Sequence, residues 1–232
     1  AASDVYKRQL INSLYYFVGS FIQLGLALFI ATLLCSKIKF AGLFKGVIFF
    51  PYLMNGVAVA LIFQRFFRGD DGGTLNSIIA LFGADPVKWL SNGAINNWCL
   101  VFASVWRYIG FDILMFIGAI QSISPDIYEA ADLDGANAWQ RFWRVTFPLI
   151  LPAFNNAFVN SLIGGLKVFD IIVATTNGGP GVTTQVMNTM IYRSFSFNMQ
   201  GEANAGYVLL AVIVALFAVS SYSIIRKREV DL

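Results

Sequence analysis

The sequence predicts an all-α fold, a polytopic bundle of membrane-spanning helices, on three observations. Hydrophobic residues make up 57 % of the 232 and charged residues only 12 %, more apolar surface than a soluble core uses. The apolar residues gather in five runs, at about 14–35, 46–64, 98–123, 149–174 and 205–225. Runs of that length, close to 20 residues, cross a bilayer as helices. Most of the charge falls between the runs: Lys37, Lys39 and Lys45 surround the first turn, and Arg226-Lys227-Arg228 closes the last run.

Composition also narrows the chemistry. The formal charge of +3 is too small to point to nucleic acid. Cys35 and Cys99 are solitary, each beside or within an apolar run, and read as ordinary buried thiols. There is no His, the commonest metal ligand and general base, so no catalytic and no metal-binding residue is assigned. No G-x-x-x-x-G-K-[ST] phosphate loop occurs.

Residues 1–9, AASDVYKRQ, are polar and lack the apolar core of a signal peptide. They read as a non-native leader and are set apart from the domain expected over 10–232. The first run, Leu14–Cys35, carries no charge. The second holds Pro51 and Asn55-Gly56, and the proline marks an expected bend. The loop 65–97 is rich in turn signals, Gly69-Asp70-Asp71-Gly72-Gly73, Asp85-Pro86 and Asn92-Gly93. Leu75–Phe82 within it could form a short surface helix. The third run carries Arg107 and Asp112, five apart and too far round a helix to pair directly. Each is therefore expected to find a partner on another helix or to face a cavity. After the fourth run, Thr176-Asn177-Gly178-Gly179-Pro180-Gly181 reads as a plain turn.

Lys and Arg number eight in loops 36–45 and 121–148 and the tail 226–232, against four in loops 65–97 and 175–204. The richer side is expected to be cytoplasmic, which puts residues 124–148 and the C-terminus inside the cell. Five spans with that ending start outside the cell, where Lys7 and Arg8 sit on the wrong side.

The stretch 124–148 and the prolines after it organise the rest. Ser124 can cap a helix with Pro125 in its first turn, while Asp126 and Glu129 suit the positive end. Asp134-Gly135 then breaks that helix. A second short helix is expected to put Trp139, Phe142, Trp143 and Phe147 on one face, with Gln140, Arg141 and Arg144 largely off it. Pro148 and Pro152 bracket the entry to the fourth run. A loop merely anchored at the headgroups would use the same aromatics.

Glu129-Ala130-Ala131, three residues, Gly135, nine residues, then Val145-Thr146-Phe147-Pro148 resembles the EAA loop of ABC importer permeases, with a MetI-like transmembrane domain. Val145 and Phe147 stand where the family pattern has Ile and Leu. The wider phrase YEAADLDGANAWQRFWRVTFPLILP is similar to the subfamily importing sugars and glycerol phosphate. The resemblance implies a coupling loop whose Glu129, Ala130, Ala131, Asp132, Gly135, Ala136, Phe147 and Pro148 meet a cytoplasmic ABC ATPase dimer. It implies that ATP and Mg are bound by that partner and that this chain holds no cofactor. It further implies a second permease subunit, read as a different chain, and an extracytoplasmic solute-binding protein, in a bacterial-type inner membrane. Family members usually carry one more span before this point, so the first helix is expected to be missing.

For the substrate path, helical phase places Asn156, Asn160, Lys167 and Asp170 on one stripe of about 80° in the fourth run, with Gly164 at its border. Lys167 and Asp170, three apart, can pair. Lys167 could instead snorkel to the outer interface. The resemblance implies contacts near Ser161, Gly164, Gly165 and Val168, counted back from the Gly-Gly-Pro turn; adjacent glycines also serve helix packing. Two alternatives remain: glycerol 3-phosphate held by Lys167 and Arg107, and an ion-coupled carrier or channel using Lys167, Asp170, Arg107 and Asp112.

Overall fold

The computed structural model describes residues 2–35 and 39–226, with side chains for 7–35 and 39–223. Lys37, Lys227 and Arg228, and the Arg226 side chain, therefore lie outside the described parts. No strand occurs among the described residues; the elements are helices α1 to α12. Three are long and apolar enough to cross a membrane, over Lys7–Leu34, Asn96–Gln121 and Gln200–Ser223. Two bent pairs raise the number of candidate spans to as many as five.

Helix α1 (Ala2–Leu34) starts upstream of the expected span and runs through the segment set apart as a leader. Residues 2–13 contain no Gly or Pro, so nothing stops the helix from extending backwards. Gln9 is buried there, its amide 3.0 Å from Met190 Sδ.

The second apolar run is two helices, α2 (Ala41–Leu53) and α3 (Gly56–Phe66), bent by 97°. Pro51 lies inside α2 and the break falls just after it, at Met54-Asn55. Met54 turns extended, and Asn55 starts α3 by accepting a hydrogen bond from the Val57 N–H at 2.9 Å. The loop beyond carries α4 (Thr74–Ala80), arranged around the buried Asn76 side chain. Asn76 accepts from Trp89 Nε1 at 2.7 Å and from the Val87 N–H at 3.1 Å, and donates to the Asp70 carbonyl at 3.1 Å.

Helix α5 (Asn96–Gln121) is the central unbroken span. Then come α6 (Pro125–Leu133), α7 (Ala138–Arg141), a wide π turn over Phe142–Thr146, and the single turn α8 (Phe147–Leu149). Next, α9 (Leu151–Leu166) and α10 (Asp170–Thr175) divide the fourth apolar run at residues 167–169. The loop expected over 175–204 contains α11 (Met187–Ser196), packed against α12 (Gln200–Arg226) through Met187, Ile191, Ala203 and Leu210.

Residues 176–181 form the expected turn, the Gly179 N–H meeting the Thr176 carbonyl at 2.9 Å, and the residues just after it are pinned to α1 and α5. Asn12 of α1 donates to the Gln185 carbonyl at 2.8 Å, and Asn97 of α5 to the Thr183 carbonyl at 2.9 Å. Asn96 donates to Thr183 Oγ1 at 2.9 Å. Buried amides of this kind keep the segment's carbonyls satisfied where water is excluded.

Two apolar clusters form the main interior. One joins Tyr16, Val59, Ala60, Phe63, Leu100, Ala103, Ile171 and Ile172. The other joins Leu24, Ala27, Ala31, Ile113, Phe116, Ile120, Ile150 and Ala157. Among the described residues only α1 and α5 pass unbroken through both; α2 and α9 lie with the second cluster, α3 and α10 with the first. The α2–α3 and α9–α10 breaks therefore fall on the border between the clusters, while the 70° bend between α8 and α9, at Ile150, lies in the second cluster.

Candidate functional site

Between the clusters α1 and α5 turn polar, with Ser20 and Gln23 on one and Ser104, Arg107 and Asp112 on the other. A cavity of about 510 Å³ opens at that level, bordered by α1, α2, α5, α9 and the 167–171 segment. Its polar wall comprises Tyr16, Ser20, Gln23, Ser104, Asp112, Asn160 and Ser161. Tyr52, Tyr108, Phe111 and Phe169 add ring surface. Tyr52 stacks on Phe111 with centroids 5.0 Å apart, so the two rings form a fixed plate.

Every charge singled out inside the spans lines this cavity: Arg107, Asp112, Lys167 and Asp170. Asp112 is buried and accepts from Gln23 Nε2 at 2.6 Å. Arg107 Nη1 binds Asp170 Oδ2 at 3.0 Å, and its Nη2 reaches the Met54 carbonyl at 3.4 Å. The Tyr16 hydroxyl and Ser104 Oγ are buried without a hydrogen-bond partner. Two buried orphan hydroxyls on a cavity wall are costly unless a guest satisfies them. Among the described residues no group of three potential metal ligands is gathered.

The expected stripe needs correction. Helix α9 ends at Leu166, so the phase of 100° per residue does not carry through to Asp170. Asp170 starts a new helix and meets Arg107, 63 positions away, instead of Lys167. Asn156 is exposed and does not line the cavity; its neighbour Asn155 is buried. Asn160, Ser161, Gly164, Gly165, Lys167, Val168 and Asp170 do line it. The adjacent glycines divide the two roles open to them. A Cβ on Gly165 would touch Ser20 and Tyr16 of α1 at 3.4–3.5 Å, whereas one on Gly164 would meet nothing within 4 Å.

The second feature is the 124–148 loop. Ser124 Oγ accepts from the Asp126 N–H at 3.3 Å with Pro125 as first helical residue. Gly135 is left-handed at φ +75°. The Ala136 N–H returns to the Ala131 carbonyl at 3.0 Å and the Gly135 N–H to the Asp132 carbonyl at 3.1 Å, the paired closure of a Schellman motif. Asn137 and Gln140 then make a reciprocal capping box at 2.9 and 3.0 Å. That box was readable as Asn-x-x-Gln. Arg141 grips Asp132 through both carboxylate oxygens at 2.9 and 3.1 Å, tying α6 to α7.

The four aromatics gather as expected into one group of rings, with Trp139, Phe142 and Phe147 each against Trp143 at 5.6, 5.1 and 5.3 Å. Within it Phe142 and Phe147 pack on the second cluster while Trp139 and Trp143 stay exposed. Leu133 is 89 % and Trp139 72 % exposed. Glu129, Ala130, Asp132 and Gly135 are exposed, Ala131 is buried, and Ala136, Phe147 and Pro148 are half-buried. The outcome is a rigid knuckle with apolar groups on its outer side.

Known proteins resemble this chain in sequence and in fold. Residues 23–228 match the family model described as binding-protein-dependent transport system inner membrane component. The multiple sugar-binding transport system permease protein MsmF of Streptococcus mutans is 32 % identical over 222 residues, covering 95 % of this chain and 75 % of that protein. The arabinooligosaccharides transport system permease protein AraP of Bacillus subtilis is 32 % identical over 210 residues, 89 % of this chain and 67 % of the relative. A chain of a bacterial ABC transporter involved in alginate import superposes with a TM-score of 0.86 over 96 % of this chain and 79 % of its own, at 24 % identity. With the family model matched over most of its length, this chain belongs to the binding-protein-dependent transport system inner membrane components: it is a permease.

Proposed function

We propose that this chain forms part of the import path for a sugar or oligosaccharide, handed over by an extracytoplasmic binding protein and driven by partner ATPases. The observation that carries the reading is the cavity between the two clusters. Its volume of about 510 Å³ falls within the usual range of small-molecule sites, about 300–1,000 Å³. Hydroxyl and amide groups beside an aromatic plate suit a guest with many hydroxyls and apolar ring faces. Relatives named for sugar uptake support the same choice. Asn160, Ser161, Gly164, Gly165, Lys167, Val168 and Asp170 are assigned to the path, joined by Tyr16, Ser104 and Asp112; Asn156 is not.

Charge balance speaks against glycerol 3-phosphate. Arg107 and Lys167 on the wall are matched by Asp112 and Asp170, so a dianion would enter a site with no net positive charge. The ion-coupled alternative uses the same four groups but gives the 124–148 knuckle no task.

In this reading the knuckle is the coupling loop, meeting the ATPase dimer through Glu129, Ala130, Asp132, Gly135 and the exposed Leu133 and Trp139. Ala131, Ala136, Phe147 and Pro148 set its shape. ATP and Mg reside on that partner, and a second, different permease chain completes the path. Loop and C-terminus face the cytoplasm. A single Cys at Asn137 should then be labelled only from the cytoplasm and one at Asp85 only from outside; the reverse pattern overturns the orientation. The function itself is tested with the full complex in nanodiscs, measuring ATP hydrolysis as binding protein arrives loaded with candidate ligands. Neutral oligosaccharides should stimulate it. Stimulation by glycerol 3-phosphate and by no sugar would refute the substrate class.

A further inference from the structure

We propose that Arg107 is a positioning residue for transport: with Asp170 it forms a clasp that holds both broken helices closed beside the cavity. The proposal rests on the cavity being the transport path, but its test needs no substrate.

Helices α3 and α10 form one packed body. Gln64 Nε2 donates to the Thr175 carbonyl at 2.9 Å, and Thr175 Oγ1 to the Ala60 carbonyl at 3.3 Å. Ile171 and Ile172 share an apolar cluster with Val59, Ala60 and Phe63. This body joins α2 through the break at Met54-Asn55 and α9 through the break at 167–169. Two breaks at one level give it two hinges, because element ends absorb φ and ψ changes that a continuous helix resists.

Arg107 stands on unbroken α5 and reaches both hinges. Nη1 holds Asp170, the first residue of α10, at 3.0 Å, and Nη2 approaches the carbonyl of Met54 at 3.4 Å. Position 56 makes room for the pair: a Cβ there would overlap Asp170 Oδ2 and stand 2.5 Å from Arg107 Nη1. Gly56 thus lets the ion pair lie against the first turn of α3, whose positive end favours the carboxylate. The clasp is not a sealed core pair. The Asp170 side chain is 44 % exposed, and Arg107 Nε is buried without a hydrogen-bond partner. A partly wet pair can exchange partners as the hinges turn, while a charge left alone inside the membrane is costly. The structure has the pair made, and parting it gives the hinged body its second position.

The test uses the assembled transporter in nanodiscs, with Cys35 and Cys99 replaced and a reporter Val168→Cys in the second break. The readout is the rate of labelling by a water-soluble thiol reagent, without ATP or substrate. Asp170→Asn, Arg107→Met and Gly56→Ala should each raise that rate, roughly 5- to 150-fold if the clasp sets a typical two-state balance. Combining Arg107→Asp with Asp170→Arg should bring it back to within about twofold of the parent. Unchanged labelling in the single variants overturns the proposal. So does an exchange variant no better than the singles. Asp170→Asn keeps shape and hydrogen bonding; if it cannot assemble with the partner subunits, the pair is a folding requirement and the clasp is refuted.

Discussion

Gly164 offers the sharpest separation of fold from function, because it sits within α9 with open cavity on one side. In Gly164→Leu the new Cβ meets nothing within 4 Å, so the helix need not shift. A glycine removed from a helix interior gains up to about 1 kcal/mol in propensity, and leucine at a span centre favours insertion by about 0.3–0.6 kcal/mol. Stability of the complex should thus hold or rise. The cavity of about 510 Å³, however, loses the volume of an isobutyl group on the wall carrying Asn160 and Ser161. One surplus methylene in a fitted pocket costs about 1–3 kcal/mol, or 10–200-fold, and leucine adds more than one. The half-saturation for uptake should rise by at least tenfold, read beside thermal unfolding of the same preparation. Wild-type uptake together with unchanged stability would show that the substrate does not pass Gly164, and the assigned path would fail.

Three further outcomes follow from the geometry. Gly135→Val should impair ATP-coupled uptake while Gly135→Asn retains most of it: a Cβ there meets open space, leaving the left-handed strain of about 1–2 kcal/mol, which Asn bears better. Equal behaviour of the two in uptake assays would remove the conformational argument. Gly110→Ala should lower the melting temperature and the yield of complex, since its Cβ would overlap the Ile48 carbonyl and stand 2.9 Å from Phe49 Cα. Overpacking of that kind costs about 1–3 kcal/mol, and an unchanged melting curve would mean that α2 and α5 are not so close. Arg107→Met and Asp170→Asn should couple more strongly in uptake kinetics than do Lys167→Met and Asp170→Asn, since Asp170 meets Arg107. A stronger coupling of Lys167→Met with Asp170→Asn would restore the neighbour pair that helical phase suggested.

What could be read in the chain alone was local. Ser124 acts through a hydrogen bond two residues on, Pro125 through its fixed φ and Gly135 through its left-handed φ, all local effects, so the first half of the coupling knuckle was legible from order and spacing. Apolar run length located the spans for the same reason. Phase, by contrast, fails at the first interruption. Residues 167–169 break the fourth run without a proline there to announce it, and every angle computed past Leu166 was lost with them. In the second run Pro51 did announce a bend, but Asn55, as the cap of a new helix, set its place. The π turn at Phe142–Thr146 gave no sign in the sequence either, although the four aromatics around it still meet as one group. Contacts far apart in sequence, such as Arg107 with Asp170 or Asn12 with Gln185, leave no periodic trace. The cavity's orphan hydroxyls, Tyr16 and Ser104, looked like ordinary residues of apolar runs until the runs were packed.

The central claim, ATP-driven import through the cavity between the two clusters, is met most directly by uptake into proteoliposomes carrying the whole complex. Labelled neutral oligosaccharide is offered with its binding protein, with or without ATP inside, and with a protonophore present or absent. Accumulation should require both ATP and binding protein and survive the protonophore. Accumulation that proceeds without the ATPase and collapses with the proton gradient would contradict the account.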